Sequence, residues 1–320
     1  MSGPTGPHGM SVGEKKYMML YGLMSQVIDL VVNSPDVPAD QKFDFIKQLM
    51  PAVWWGLMAG KLAPKGSSFE TIQALAMKYN AMPCSWEESG EQKVGANATY
   101  HRAEEWSNRD LLLKYAPPDC DLVLDLGCGW GHRMFDLWRA GGPQRALYVG
   151  GDRPAGSQSC IAGLGKLFPQ MDVRGMSFDF SRPDFASLPA TARKVLVYST
   201  QAIEQVGTLG PMLFDALLRK FPDAQILGVH QEPISFQMPD WETKNPVRFA
   251  RDSEYARNKD FNQDLYAQVV GHPELELLDA VPGVIWGRQF PGPCWYGAPG
   301  ARPDSCPACQ SMRSKNAAMA

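Results

Sequence analysis

The stretch Val123-Leu124-Asp125-Leu126-Gly127-Cys128-Gly129-Trp130-Gly131 decides how this chain folds. It begins as an apolar run of the kind that forms a central parallel strand with both faces buried. Glycines then stand at alternate positions, and glycine allows positive φ angles and close approach of a ligand to the backbone. A helical pattern from His132 to Ala140 follows, and its first N–H groups are unpaired. The stretch therefore predicts a strand, a turn that holds a nucleotide cofactor, and a helix.

The spacing of the glycines separates two kinds of nucleotide site. A dinucleotide-binding turn has its third glycine three positions after the second, and that position is His132 here. The third glycine instead stands at Gly131, which gives the pattern Asp-x-Gly-x-Gly-x-Gly. This pattern resembles motif I of the class I S-adenosylmethionine-dependent methyltransferases. It disfavours the alternative of a nicotinamide-dependent oxidoreductase.

The resemblance implies further elements, and each has a counterpart downstream. A second strand should end in an acid that holds both ribose hydroxyls, and Asp152 follows Gly131 by 21 residues, near the ~20 of such units. A third strand supplies Asp179 as an acceptor for the adenine amino group, and a fourth, Lys194–Thr200, leads into a polar loop. The implied cofactor is S-adenosylmethionine, with contacts assigned to Asp125, Gly127, Cys128, Gly129, Gly131, Asp152, Arg153, Asp179, Phe180 and Thr200.

Composition describes an ordinary globular protein. The 320 residues are 44% hydrophobic and 20% charged, with a formal net charge of −3. This balance does not favour a nucleic-acid partner. The seven cysteines are scattered without framework spacing and indicate reduced thiols of a cytoplasmic protein. Cys306 and Cys309 supply only half of a zinc site, so no metal is predicted.

Residues 1–116 predict a short disordered start and an α-helical appendage that forms a lid or substrate region. Lys15-Lys16 and the apolar run over 17–32 resemble a signal peptide, but polar residues interrupt the run. Apolar residues at helical spacing instead predict an amphipathic helix that packs on the protein, so we expect no membrane partner. A homodimer is left open.

Further helices are predicted in the same region. One covers about 40–50, and Pro51 then ends or kinks it and starts another. A capping box at Ser67–Glu70 begins a helix that continues to about Tyr79. A loop over 81–97 and a helix over about 98–115 complete the appendage.

From Asp121 onward strands and helices alternate, which predicts a parallel sheet with helices on both faces. The resemblance implies an α/β fold: a doubly wound, mostly parallel seven-stranded methyltransferase sheet over 117–290. Three glycines weaken the helix expected over 157–168. Segments 275–278 and 283–286 are paired as the last strands, and a Pro/Gly/Ala-rich tail covers 291–320.

An acceptor has to reach the donor from the carboxyl ends of the strands. His230 is the best placed titratable group for a general base, with Glu204 as a second catalytic candidate. A structural alternative is that His230 only bonds the backbone at its strand end. Aromatic residues at helical spacing equally fit a core role. Substrate contacts are assigned to Tyr100, Arg102, Gln201, Glu232 and Trp241.

The sequence therefore predicts methyl transfer from S-adenosylmethionine to a small-molecule acceptor by in-line displacement. Ser199-Thr200-Gln201-Ala202 stands where nucleic-acid and glutamine amino-methylating branches carry an Asn-Pro-Pro-Tyr type signature. We expect modification on oxygen, of a hydroxyl or carboxyl group, with nitrogen or sulfur of an amino-acid-like metabolite as the alternative. From another class, a non-catalytic S-adenosylmethionine-binding protein that docks a partner stays open.

Overall fold

A computed structural model of the chain describes residues 12–62, 67–88, 91–280 and 294–297. The helices are α1 (Val12–Asn33), α2 (Lys42–Met58), α3 (Phe69–Ala81), α4 (Asn97–Tyr115), α5 (His132–Arg139), α6 (Ala155–Gly165), α7 (Met212–Lys220), α8 (Pro239–Lys244), α9 (Pro246–Lys259) and α10 (Leu265–Gly271). The strands are β1 (Pro83–Glu88), β2 (Glu91–Ala96), β3 (Leu122–Leu126), β4 (Leu147–Asp152), β5 (Val173–Ser177), β6 (Lys194–Thr200), β7 (Gln225–Gln231), β8 (Leu275–Asp279) and β9 (Cys294–Gly297).

The main sheet has the strand order β5-β4-β3-β6-β7-β9-β8. Neighbouring strands from β5 to β7 are parallel, whereas β9 runs antiparallel to both β7 and β8. The chain winds outward from β3 to β5 and crosses back to β6, so the strand order reverses between β3 and β6. Ligands bind outside the carboxyl ends of the strands at such a switch point. The predicted α/β class with a doubly wound, mostly parallel sheet is confirmed.

Two hydrophobic clusters cover the two faces of the sheet. Helices α1, α2 and α3 belong to the same cluster as α5 and α6, so they share one core with that face. The buried stripe of α1 includes Leu20, Val27, Ile28 and Val31. Full burial of each such side chain contributes about 1.5–3 kcal/mol. The predicted amphipathic helix is thus confirmed, and it packs along α6.

The glycines that weaken the 157–168 pattern form a packing surface. The helix starts earlier than predicted, at Ala155, and ends at Gly165. A Cβ on Gly156 would lie 2.8 Å from the backbone carbon of Tyr21, and a Cβ on Gly163 would lie 2.8 Å from Ile28. The close approach of α1 therefore needs glycine here, which offsets its low helix propensity.

Three predictions for the appendage are wrong in detail. Pro51 lies inside the single helix α2, whose buried residues on both sides of it hold the helix together. The 81–97 loop contains the antiparallel hairpin of β1 and β2, where Trp86 packs edge-on against Tyr100 with ring centres 5.9 Å apart. The cap of α3 is Ser68, one residue later than predicted, and its hydroxyl accepts from the Thr71 N–H.

Residues 234–261 contain a short 3-10 turn over Ser235–Gln237, followed by α8 and α9. Strand β8 agrees with the predicted segment 275–278, but its partner is β9. The predicted partner segment 283–286 lies outside the described residues. None of the described helices combines the length and the apolar character that a membrane span requires.

Candidate active site

The glycine turn after β3 has the geometry that its sequence predicts. Gly127, Gly129 and Gly131 have φ angles of 74°, 60° and 84°. Only glycine adopts such angles without strain. A Cβ on Gly127 would lie 2.3 Å from the Cβ of Ala202, which belongs to the loop after β6. The turn and that loop are therefore in direct contact at the switch point of the sheet.

Asp152 at the end of β4 faces this turn. Its Oδ2 accepts from the Gly129 N–H at 2.8 Å, and its Oδ1 accepts from the Arg153 N–H at 2.7 Å. Burial raises the pKa of Asp152 to about 6, against the opposing effect of these two hydrogen bonds. The carboxylate lines the cleft described below, so it is placed to accept further hydrogen bonds from a ligand.

Asp125 lies beneath the turn rather than in the cleft. It is 1% exposed, and burial raises its pKa to about 7, although Arg133 and the Tyr198 hydroxyl oppose the rise. Its Oδ2 has no hydrogen-bond partner among the described residues. Burying a carboxyl oxygen without a hydrogen-bond partner costs free energy of folding. The apolar strand around Asp125 does not supply a partner for its Oδ2.

A cleft of about 1010 Å³ opens above the turn. Its floor is the glycine turn with the ends of β4 and β6, and its walls come from α1, α2, α3 and α4. The sheet side contributes Gly127, Cys128, Gly129, Trp130, His132, Arg133, Asp136, Asp152, Arg153, Phe178, Phe180, Thr200, Gln201, Ala202, Glu204, Gln205 and Val206. The helices contribute Tyr17, Tyr21, Lys47, Met50, Trp54, Tyr79, His101, Glu104, Asn108 and Arg109.

Most of the predicted cofactor contacts lie in this cleft, and three do not. Asp125 and Gly131 are beneath it, where a Cβ on Gly131 would lie 2.6 Å from Ile161. Asp179 accepts from the Ser181 N–H at 2.9 Å and pairs with Arg153 at 3.3 Å. Burial would raise the pKa of Asp179, but the hydrogen bonds from Ser181 and the nearby arginines lower it. The carboxylate of Asp179 is therefore bonded to the protein's own Ser181 and Arg153, at the edge of the cleft.

The predicted general base, His230, does not fit that role. It is 0% exposed, and its Nδ1 lies 3.0 Å from the Ser199 hydroxyl. Burial lowers its pKa to about 3, so it is a neutral core histidine at neutral pH. The structural alternative for His230 is the better description, with a serine side chain in place of the backbone as the partner observed.

Glu232 does not fit the predicted role of a substrate contact either. It is 1% exposed and lies under the loop that follows β6. Its carboxylate accepts from the Ser199 hydroxyl and from three backbone N–H groups of that loop. Such a carboxylate is occupied by the protein's own donors.

Three other predicted substrate contacts also lie outside the residues that line the cleft. Tyr100 is 3% exposed and packs against Trp86. Arg102 is exposed, and its Nε donates to the Ala98 carbonyl at 3.3 Å. Trp241 on α8 packs against the opposite hydrophobic cluster. The helical phase explains the first two, because the intervening residue His101 is the one that faces the cleft.

Glu204 and Gln201 keep their predicted position in the cleft. Burial, with the charge of Glu232 as a second cause, raises the pKa of Glu204 to about 8. A carboxyl group with such a pKa exchanges a proton near neutral pH, which is the property a general acid or base needs. Glu204 is therefore the catalytic candidate that the geometry retains.

Sequence reasoning missed two tyrosines of α1. The Tyr21 hydroxyl lies 3.3 Å from the position that a Cβ on Gly129 would occupy. Tyr17 stacks beside it with ring centres 6.4 Å apart. Burial raises the pKa of Tyr17, and the charges of Glu204 and Asp152 raise it further, which places its hydroxyl near both. Both tyrosines fall on the predicted apolar face of α1, so their pattern resembled that of core residues.

The other end of the cleft is polar. Lys47 pairs with Asp136 at 3.0 Å, and His101 lies 3.0 Å from the Tyr79 hydroxyl and 3.5 Å from Glu104. Arg133 also lines this end, and its Nε is buried without a hydrogen-bond partner among the described residues. A buried guanidinium nitrogen without a partner is suited to a carboxylate. Arg133 directly follows His132 after the glycine turn, and that adjacency is the sequence signal that could have found it.

No group of three or more metal-ligating side chains occurs within the described part of the chain. Cys120, Cys128 and Cys160 are free thiols. Cys306 and Cys309 lie outside the described residues. Burial raises the pKa of Cys128, the thiol that lines the cleft, well above its ordinary value. A thiol with so high a pKa is a poor nucleophile.

Comparison with known proteins gives structural matches only. No family model matches the sequence, and no curated protein matches it. The O-methyltransferase TomG from Streptomyces achromogenes, in complex with SAM, is 13% identical, with a TM-score of 0.36 over 62% of this chain and 80% of its own. An O-methyltransferase from Bacillus cereus in complex with SAH is 12% identical, with a TM-score of 0.35 over 61% and 80%.

Coclaurine N-methyltransferase, bound to N-methylheliamine and SAH, is 16% identical, with a TM-score of 0.33 over 68% of this chain and 63% of its own. These proteins are similar to the chain in fold, while their ligands and reactions are their own. The function of the chain is therefore inferred from the cleft itself.

Proposed function

We propose that this protein is an S-adenosylmethionine-dependent methyltransferase that acts on a small-molecule acceptor. The observation that carries the proposal is the placement of the Asp152 carboxylate against the Gly129 N–H, at the switch point of a doubly wound sheet. The glycine turn with φ > 0 leaves the backbone open to a ligand, and the cleft above it is large enough for a donor and a small acceptor.

The residues present fit the three chemical parts of this donor. The Asp152 carboxylate can accept from both ribose hydroxyls, since its oxygens have lone pairs beyond the two backbone donors they already meet. Phe178 and Phe180 form an aromatic wall beside Asp152, and this wall is suited to contact with the adenine ring. Arg133, with its unpaired buried Nε, would hold the carboxylate of the methionine end. When bound, S-adenosylmethionine supplies an electrophilic methyl group on a sulfonium sulfur.

The protein's own contribution is positioning and the exclusion of water. Tyr17 and Tyr21 of α1 roof the cleft over the glycine turn, and Trp130 stacks on His132 with ring centres 4.2 Å apart. Holding two reactants in a fixed geometry can lower a barrier by about 7–11 kcal/mol. A methyl transfer needs little covalent work from the protein, so this effect is the larger part of its task.

We further propose that transfer goes to a hydroxyl oxygen and that Glu204 accepts the hydroxyl proton. Glu204 is the acid that the loop after β6 contributes to the cleft, and burial raises its pKa to about 8. A hydroxyl group needs such a base, whereas a carboxylate or a thioether is already nucleophilic. The base therefore favours an alcohol or phenol, and a protonated amine is the alternative acceptor.

A calorimetric titration of S-adenosylhomocysteine into the purified protein tests the donor site. We expect binding in the micromolar range that is lost in Asp152→Asn and kept in Asp172→Asn, a matched change at an exposed aspartate. NADH, tested as a competitor, should not displace the ligand. Tighter binding of NADH, or equal affinity in the two variants, would overturn the proposal.

A further inference from the structure

The loop that follows β6 is wrapped around one buried carboxylate. The Glu232 Oε1 accepts from the Ser199 hydroxyl at 2.6 Å, from the Ala202 N–H at 3.1 Å and from the Ile203 N–H at 3.2 Å. Its Oε2 accepts from the Ala202 N–H at 3.2 Å and from the Glu204 N–H at 3.1 Å. Three consecutive backbone N–H groups thus converge on the side chain of the residue that directly follows the adjacent strand β7.

These donors specify the charged form of Glu232. A backbone N–H can only donate, and both carboxylate oxygens accept from one. Burial raises the pKa of Glu232, while the hydrogen bonds from Ser199 and from the three N–H groups oppose that rise. The three N–H groups lie at the start of the 3-10 turn Ile203–Gln205. Donors at the start of a helical turn have no partner within the turn and attract a negative charge.

The loop needs this support because its backbone is strained. Gln201 has a φ of 53°, a left-handed conformation that residues other than glycine rarely adopt. Such residues persist only where surrounding contacts fix them. The Gln201 N–H donates to the Gln231 carbonyl at 3.0 Å, and the bonds to Glu232 begin at the next residue.

The same loop contributes to both halves of the cleft. Ala202 packs on the glycine turn, where a Cβ added to Gly127 would lie 2.3 Å from the Cβ of Ala202. Gln201, Glu204 and Gln205 line the acceptor side. A shift of the loop would therefore move the candidate base and the floor of the donor site together.

We propose that Glu232 is a positioning residue whose buried carboxylate fixes the loop 201–205, and with it the Glu204 side chain, between the donor turn and the acceptor space. The assignment of the glycine turn to the donor and of the space beside Glu204 to the acceptor rests on the proposed methyltransferase function. Its structural content, the holding of the loop by one carboxylate, is independent of that function. Glu232 itself reaches no ligand.

Electrostatics supports this geometry. Among the causes that raise the pKa of Glu204, burial is the largest and the charge of Glu232 is the next. Tyr17 of α1 faces Glu204 from the roof of the cleft, and its own pKa is raised by burial and by that carboxyl group. Glu232 therefore acts on Glu204 in two ways, through the backbone and through its charge.

Amide hydrogen exchange tests the backbone role without any knowledge of the acceptor. In Glu232→Gln, we expect the amides of Ala202, Ile203 and Glu204 to exchange about tenfold faster or more, since each loses a charge-assisted hydrogen bond. Exchange elsewhere in the sheet should be unchanged. Glu254→Gln, the same change at an exposed position of α9, is the matched control and should leave all three amides unchanged.

Ser199→Ala removes one donor to the carboxylate without touching the loop backbone. We expect a smaller acceleration at the same three amides, and this variant decides the question if Glu232→Gln does not fold. Equal exchange at these amides in the wild type and in the folded variants would overturn the proposal.

A carbon NMR titration of the Glu204 side chain, assigned with Glu204→Gln, tests the effect of the charge. Its midpoint should fall in Glu232→Gln and stay in place in Glu254→Gln; an unchanged midpoint in Glu232→Gln would overturn this part of the proposal. Failure of S-adenosylhomocysteine to bind the wild-type protein would instead refute the methyltransferase function, and the exchange result would still decide the role of Glu232.

Discussion

Replacing Gly127 with alanine perturbs the point where the glycine turn meets the loop after β6. Gly127 has a φ of 74°, and a Cβ there would lie 2.3 Å from the Ala202 Cβ. The usual separation of two carbon atoms in contact is about 3.5–4.0 Å. Since the loop is held by Glu232, Ala202 cannot move away without breaking hydrogen bonds. We therefore expect Gly127→Ala to destabilise the fold and to weaken donor binding together.

Two costs determine the size of the effect. A residue with a Cβ in the left-handed region costs about 1–2 kcal/mol, and overpacking of this kind costs about 1–3 kcal/mol. Together they amount to about 2–5 kcal/mol, a large part of the 5–15 kcal/mol by which native proteins are usually stable. Gly22→Ala is the matched control, because a Cβ there meets nothing within 4 Å inside helix α1. It should stabilise the protein by about 0.5–1 kcal/mol.

Urea unfolding of the wild type and both variants, followed by calorimetry with S-adenosylhomocysteine, measures these effects. The double variant Gly127→Ala with Ala202→Gly removes the Cβ contact but keeps the strained φ angle. We expect it to recover the overpacking part of the loss, about 1–3 kcal/mol. A Gly127→Ala protein as stable as the wild type, or a double variant no more stable than the single one, would show that the Cβ contact with Ala202 does not destabilise the fold.

Three further predictions concern charged groups. Glu204→Gln should abolish transfer to a hydroxyl acceptor and leave S-adenosylhomocysteine binding intact, and the wild-type rate should fall as the pH drops through about 8, the raised pKa of Glu204; a rate independent of pH over this range contradicts the assignment. Arg133→Gln should lower the affinity for S-adenosylhomocysteine by about 10- to 100-fold in calorimetry. The affinity for methylthioadenosine, which lacks the carboxylate, should be unchanged. Equal losses for both ligands would exclude Arg133 from the carboxylate. Burial raises the pKa of Asp125 to about 7 in the folded protein, so the folded state holds the Asp125 proton more tightly than the unfolded state does. The free energy of unfolding should therefore fall as the pH rises from about 4 through 7. Asp125→Asn should remove that slope and stabilise the protein at pH 8 by on the order of 4 kcal/mol in urea unfolding; an unchanged slope counts against it.

The central part of the fold could be predicted because its signals are local. The apolar run of β3, the glycines after it and the acid at the end of β4 each fix a conformation or a position within a few residues. Their order along the chain implied the parallel sheet. The α1 stripe was also clear, because its apolar residues recur at helical spacing over several turns.

Elements that depend on tertiary contacts were predicted less well. Helix α2 continues through Pro51 because it is buried on both sides of that residue. Helix α6 forms in spite of its glycines because α1 approaches at Gly156 and Gly163. Propensity alone gives the wrong answer in both places, since packing against a distant segment compensates for it.

The site shows the same division. Asp152 follows from its strand end, but the roles of His230 and Glu232 depend on burial, which the end of a strand does not reveal. His230 lies near the carboxyl end of β7 and Glu232 directly follows that strand, where a ligand contact is expected, yet both side chains are buried against Ser199. His101 rather than Tyr100 or Arg102 faces the cleft, a difference of one helical position that no local pattern sets.

Methyl turnover distinguishes a methyltransferase from a protein that only binds the donor. The protein would be incubated with S-adenosylmethionine carrying a labelled methyl group and a deproteinised metabolite extract, with Asp152→Asn and Glu204→Gln as controls. We expect equal amounts of S-adenosylhomocysteine and of label in a small-molecule product with the wild type, and neither with the variants. Binding of S-adenosylhomocysteine without any turnover would contradict this expectation and would support a non-catalytic donor-binding protein.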